Sequence, residues 1–205
     1  MEKFKGAIKN IQRLVVKFVI HILVLIVYRV KIVGKKNIPT TGSALLCPNH
    51  VHAFDSVCIV ATLKRPVRAL AKESLYRYRF LKWLAKIFGI YPVNQKNSAI
   101  SAIKIAFKLL KEEELVLIFP EGTRNGMKKG VKPKDGAVNI AIKADVPIIP
   151  IGVQGSFKVF RKVKINIGKP LYYNKNEIDD KDKIYIEHLT GELMDEIIRL
   201  ANEKI

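Results

Sequence analysis

This sequence predicts a single α/β domain, its sheet mixed but mostly parallel and covered by helices, with an amphipathic helix in front of it. Three observations carry the prediction. Beyond Gly34, short apolar runs alternate with amphipathic stretches, the pattern of strands and helices taken in turn. The runs LLC, LVLIF and IIPI, which end at Cys47, Phe119 and Ile151, hold no charged residue, as central strands covered on both faces require. The 205 residues, 49% of them apolar, are enough for one real core and few for two, and no repeat, low-complexity tract or linker divides them.

The first element is the N-terminal helix. The stretch from Arg13 to Val33 is the most apolar in the chain, but Lys17 and His21 interrupt it and Tyr28 and Arg29 close it. A spanning helix needs roughly 20 apolar residues, and a removable signal peptide needs a small-residue cleavage site that the sequence after Val27 does not offer. Asn10, Arg13, Lys17 and His21 recur every three or four residues and form one narrow polar stripe on a helix. Ile11, Leu14, Val15, Phe18, Val19, Ile22 and Leu25 cover the remaining face. Such a helix is expected to lie in one membrane leaflet with its basic stripe toward the phosphates, an ordinary core helix being the alternative. The expected division is a monotopic membrane helix over residues 1–28 and a folded domain over residues 29–205.

Strands are then expected at Arg29–Val33, Ser43–Cys47, Val67–Ala71, Leu115–Phe119, Ile148–Ile151 and Val163–Ile167. Helices are expected at Ser56–Leu63, Phe80–Phe88, Ala99–Leu110 and Ala137–Lys143, with a long last one ending near Leu200. In the helix that starts at Phe80, basic Lys82 and Lys86 share a face with Arg79 just ahead of it, and Trp83 lies close by. That segment suits a second membrane contact, a dock for an acidic carrier protein, or a plain surface helix.

Charge narrows the partners. Thirty-seven Lys and Arg against 18 Asp and Glu give a formal net charge of +19, and from Glu177 onward the balance reverses to nine acidic against four basic residues. A basic body suits nucleic acid, an anionic lipid surface or an acidic carrier protein. No helix-turn-helix, RRM or zinc-finger signature is present, so nucleic acid is not the expected partner. Cys47 and Cys58 sit in apolar runs and read as buried free thiols, neither a disulfide framework nor a nucleophile.

Two motifs fall where strands end. Pro48 closes one strand just before His50, and Pro120 closes another just before Glu121, so both polar segments are expected near the carboxyl edge of the sheet. Five steps along a helix turn two side chains about 140° apart. A bond between His50 and Asp55 in NHVHAFD therefore needs a bent loop, with the histidine on the loop and the aspartate at a helix start. There the carboxylate would set the imidazole tautomer and stabilise its protonated form, leaving the other ring nitrogen free to take a proton from an alcohol. A plain helix cap is the competing reading of Asp55. No metal is expected: His50 and His52 make HxH, but a metallo-hydrolase loop would continue HxHxDH, and here Asp55 falls one place late and Ser56 follows. No G-x-S-x-G is present for a serine nucleophile. The second motif, FPEGTRN (Phe119 to Asn125), offers Gly122 for close backbone approach, with Thr123 and Arg124 as a hydroxyl and a planar fork suited to phosphate. It is neither a Walker A nor a GxGxxG cradle, so no nucleotide cofactor is expected.

Taken in order, these blocks resemble the glycerolipid acyltransferases, most closely the bacterial 1-acyl-glycerol-3-phosphate acyltransferases, from about Val30 to Pro170. That family's NHxSxxD looks like Asn49–Asp55, its Gly-x-x-x-(Ile/Val)-Asp-Arg like Gly89 to Gln95, its FPEGTR is complete at Phe119–Arg124, and its VPxxPV looks like Val146–Ile151. The resemblance implies a glycerol-phosphate-acyltransferase-like fold and direct attack of a lysophosphatidate hydroxyl on an acyl thioester, from acyl carrier protein or coenzyme A. It implies His50 as base, Asp55 as its partner, no cofactor, and Glu121, Gly122, Thr123 and Arg124 around the acceptor's phosphate. Two positions depart from the family: His52 replaces a serine, and Asn94-Gln95 replaces Asp-Arg. Lys96 is the expected substitute cation, and another lysophospholipid or glycerol-3-phosphate is the alternative acceptor. A non-catalytic basic protein that binds a membrane surface is the alternative of another class. The expected location is the cytoplasmic face of the cell membrane.

Overall fold

The computed structural model of the chain describes residues 15–16, 18–93, 98–158, 160–173 and 183–203. Seven strands, β1 (Lys31–Val33), β2 (Ala44–Pro48), β3 (Val67–Lys72), β4 (Tyr91–Val93), β5 (Leu115–Leu117), β6 (Ile148–Gly155) and β7 (Val163–Ile167), make one sheet. Their order is β1-β7-β6-β2-β5-β3-β4, and every neighbouring pair is parallel except β6 and β7. The mixed, mostly parallel sheet is as the sequence predicts. The three uncharged runs occupy the three central positions, and the side chains of β2 and β5 are buried throughout.

Alternation along each strand divides the core in two. Leu45, Cys47, Val116 and Ile148 face a layer made by α4 (Ser98–Lys111), α5 (Gly136–Ala144) and α6 (Lys183–Asn202). Ala44, Leu46, Leu115, Leu117, Ile149 and Ile151 face the other way, onto α2 (Asp55–Thr62) and the first helix, α1 (residues 18–28). A sheet apolar on both faces must be covered on both, and these helices do so. The last helix, α3 (Arg79–Phe88), lies at the β4 end and leaves Phe80, Leu81 and Trp83 exposed.

Most boundaries lie within one residue of expectation, β5 stops at Leu117, two residues short of Phe119, and three further differences have a local cause. β4 was not expected; it is three residues long and carries Pro92, which an edge strand tolerates because one side of it makes no ladder bonds. β1 begins two residues late because Arg29 takes φ +40, outside the extended region. β6 runs on to Gly155, past the expected end at Ile151. Gly152 within it serves close approach: a Cβ there would lie 2.2 Å from the backbone nitrogen of Ala201 in α6.

One member of the polar stripe, His21, points elsewhere than expected. His21 Nδ1–H donates to the Ala61 carbonyl of α2 at 2.6 Å, so His21 faces the domain and not lipid phosphates. Val24 is buried beside it, while Val15, Phe18, Val19, Ile22, Leu23 and Ile26 form an exposed, wholly apolar face. The physical reason is local: α2 presents a carbonyl that needs a donor, and the imidazole supplies it. Asn10, Arg13 and Lys17 lie outside the described residues. Among the described residues no helix is long and apolar enough to cross a membrane.

Candidate active site

β2 and β5 are adjacent and parallel, with Leu46 level with Leu117, so the loops that follow them leave the sheet side by side. Pro48 and Asn49 turn the first loop. Asn49 is buried and fastens it to β6 in both directions: its Nδ2 donates to the Val153 carbonyl at 2.9 Å and its Oδ1 accepts from the Val153 N–H at 2.6 Å. Sequence reasoning gave Asn49 no such role; the signal available was an amide placed between two apolar runs, which must find partners when buried.

Between Asn49 and Asp55 the backbone is not helical, the bend the sequence requires. His50 Nδ1 lies 3.0 Å from Asp55 Oδ2. The same oxygen accepts the backbone N–H of Val51 at 2.7 Å and of His52 at 2.8 Å. Asp55 is the first residue of α2 and fully buried, yet its carboxylate points back along the chain and not to the amides of the first helical turn. It is therefore no helix cap; it is the centre around which the histidine loop is wound. With a carboxylate accepting at Nδ1, the proton sits on that nitrogen and Nε2 carries the lone pair. The imidazole stacks on Phe119 with ring centroids 4.0 Å apart, which holds its plane.

The second loop closes on the first. His50 N–H donates to Glu121 Oε1 at 2.7 Å, and Asn125 N–H donates to the His50 carbonyl at 2.6 Å. Glu121 is 2% exposed, and its bond to the His50 amide joins the two loops. Gly122, Thr123 and Arg124 are exposed on the same turn, where a ligand can reach them. Gly122 adopts φ +63, a conformation that glycine takes without penalty. Lys96 lies outside the described residues.

His52 stacks on Phe157 at 4.8 Å, and Tyr28, at the end of α1, contacts Phe54 at 5.7 Å and Phe157 at 5.8 Å. The end of α1 is thereby packed onto the histidine loop. Both cysteines are buried, and burial pushes their thiols up, Cys58 to about 12, away from thiolate chemistry.

A family model described as Acyltransferase matches residues 29–154. The chain belongs to the acyltransferase family. Both loops of the site fall within the family's span, and the chain is accordingly an enzyme of that class. It is 34% identical over 149 residues to the 1-acyl-sn-glycerol-3-phosphate acyltransferase of Bacillus subtilis, covering 70% of this chain and 74% of that one. It is 29% identical over 177 residues to the enzyme of the same name from Borreliella burgdorferi, covering 83% and 71%. The crystal structure of the 1-acyl-sn-glycerophosphate acyltransferase PlsC from Thermotoga maritima matches 96% of this chain and 84% of its own at a TM-score of 0.70 and 21% identity. At that identity the likeness speaks for the fold, which is the acyltransferase fold the resemblance implies.

Proposed function

We propose that this acyltransferase moves an acyl group from a thioester to the free hydroxyl of 1-acyl-glycerol-3-phosphate, giving phosphatidic acid for phospholipid biosynthesis. The observation that carries the reading is the 3.0 Å contact between His50 Nδ1 and the buried Asp55, set directly beside the FPEGTR turn. His50 Nε2 takes the hydroxyl proton as that oxygen attacks the thioester carbonyl carbon. The C–O bond forms, the C–S bond breaks, and the proton passes from the imidazolium to the departing thiolate. Asp55 stabilises the imidazolium while it exists. A thiol with a pKa of about 8.5 leaves without strong acid help, so no covalent acyl-enzyme is needed. Acyl carrier protein and coenzyme A present the same thioester, and either serves as donor. Thr123 and Arg124, with the Gly122 backbone, take the phosphate end. The names of the relatives support this acceptor.

A panel of acceptors tests it. Purified protein given an acyl thioester should prefer lysophosphatidate over monoacylglycerol and lysophosphatidylglycerol by about tenfold or more in kcat/KM, the value of one charge-assisted contact. Equal use of the uncharged acceptor, or a preference for glycerol-3-phosphate, overturns the reading.

We further place the enzyme on the cytoplasmic face of the cell membrane, held in one leaflet by a helix over residues 1–28, with the acyltransferase domain over residues 29–205. Support comes from the exposed apolar face of α1, Phe18 at 66% and Ile26 at 58%, and from Tyr28, whose contact with Phe54 sets the end of that face against the histidine loop. The +19 charge suits an anionic surface. Substituting Phe18, Ile22 and Ile26 together by Ser should weaken sedimentation with anionic vesicles about a hundredfold or more, since each exposed side chain contributes about 1 kcal/mol or more on entering the acyl region. Unchanged sedimentation would move the contact to α3 or to charge alone.

A further inference from the structure

We propose that Lys134 binds the acceptor's phosphate together with Arg124, supplying a second cation at the FPEGTR turn. The inference rests on the reading that lysophosphatidate is the acceptor. The backbone N–H of Lys134 donates to the Pro120 carbonyl at 2.9 Å, which brings the residue back onto the FPEGTR turn from ten positions further along the chain. Its side chain then lies across Gly122: a Cβ added to that glycine would meet Lys134 Cε at 2.9 Å and Nζ at 3.3 Å. The bare glycine thus makes room for a lysine stem, and the ammonium is held over the turn whose other end bonds the His50 carbonyl.

The charge there is uncompensated. Lys134 and Arg124 are both exposed, and among the described residues neither has a carboxylate within ion-pair range, whereas nearby Lys132 has Glu187 at 2.9 Å. Two unpaired cations on one turn, next to the proposed base, fit a phosphomonoester dianion, with the guanidinium as fork and the ammonium as point charge.

The rival reading is mechanical, the stem serving only as a cover for Gly122, and three variants separate the two. Lys134→Met keeps the stem and removes the charge, Lys134→Gln does so with a polar end, and Lys134→Arg keeps the charge. With lysophosphatidate varied at saturating donor, Lys134→Met and Lys134→Gln should raise the acceptor KM about tenfold. Both should leave kcat, the donor KM and the thermal midpoint near wild type, and Lys134→Arg should restore most of the acceptor KM. An acceptor KM within twofold of wild type in the Met and Gln variants overturns the role of Lys134 while leaving the acceptor assignment intact. An equal rise in all three variants overturns it, since Lys134→Arg keeps the charge. No turnover of lysophosphatidate by the wild type overturns both.

Discussion

Replacing His50 by Ala should lower kcat by about a thousandfold or more while the protein stays folded. The size follows from the part proposed for the ring: a positioned general base contributes about 10² to 10⁴ in rate, and no other group among those described can take it over. Both cysteines are buried, with their thiols raised well above neutral pH. His52, two residues on, has its ring in the aromatic stack with Phe157 and its backbone N–H on Asp55. Stability should change little, because the joints of the loop are made by the His50 backbone, whose N–H meets Glu121 and whose carbonyl meets Asn125. Alanine keeps both. The lost stacking on Phe119 costs about 1 kcal/mol, a thermal shift of about 2–4 °C in a protein of this size. The measurement is steady-state acylation of lysophosphatidate beside a thermal melt. Activity within tenfold of wild type in a folded variant removes His50 as base.

How far the sequence discloses this arrangement depends on what kind of interaction sets each part. Strands whose environment is uniform are plain in it: LLC, the first three residues of LVLIF, and IIPI are buried on both faces, so composition alone places them at the centre of the sheet. β7 falls at Val163–Ile167 as expected because Gly168 and Pro170 close its apolar alternation directly after Ile167. β4 is hidden because three residues with a proline carry no periodicity, and the last four residues of β6 are hidden because Gly152 answers to the backbone of α6, 49 positions away in the chain. The same division runs through the site. The bend between His50 and Asp55 follows from helical geometry before any fold is known. The inward turn of Glu121 and of His21 does not, since each is decided by a backbone group of another segment, the amide of His50 in one case and the carbonyl of Ala61 in the other. Side-chain type announces what a residue can bond; only packing decides whether its partner is substrate, lipid or the protein's own backbone.

Asp55 is the residue where both consequences should meet, and two substitutions separate them. Asp55→Ala removes one oxygen that accepts from His50 Nδ1, Val51 N–H and His52 N–H, at 3.0, 2.7 and 2.8 Å, on a side chain that is itself fully buried. Leaving two backbone donors without the buried carboxylate costs about 1–3 kcal/mol for each, so the variant should lose about 3 kcal/mol. The thermal midpoint should fall by about 6–12 °C, and activity should fall as far as in His50→Ala. Asp55→Asn keeps an oxygen for the two amides but not the negative charge. Its NH₂ group must then occupy the position of Oδ1, which has no hydrogen-bond partner among the described residues, or else face the histidine and favour the wrong tautomer. The expected loss of stability is smaller, about 1–2 kcal/mol, while kcat should still fall by about a thousandfold or more, because a neutral amide cannot stabilise an imidazolium. A stable Asp55→Asn variant that retains a tenth or more of wild-type kcat would make Asp55 the framework of the loop alone. A variant as inactive as His50→Ala but clearly more stable than Asp55→Ala would show that the carboxylate both winds the loop and holds the charge of the base.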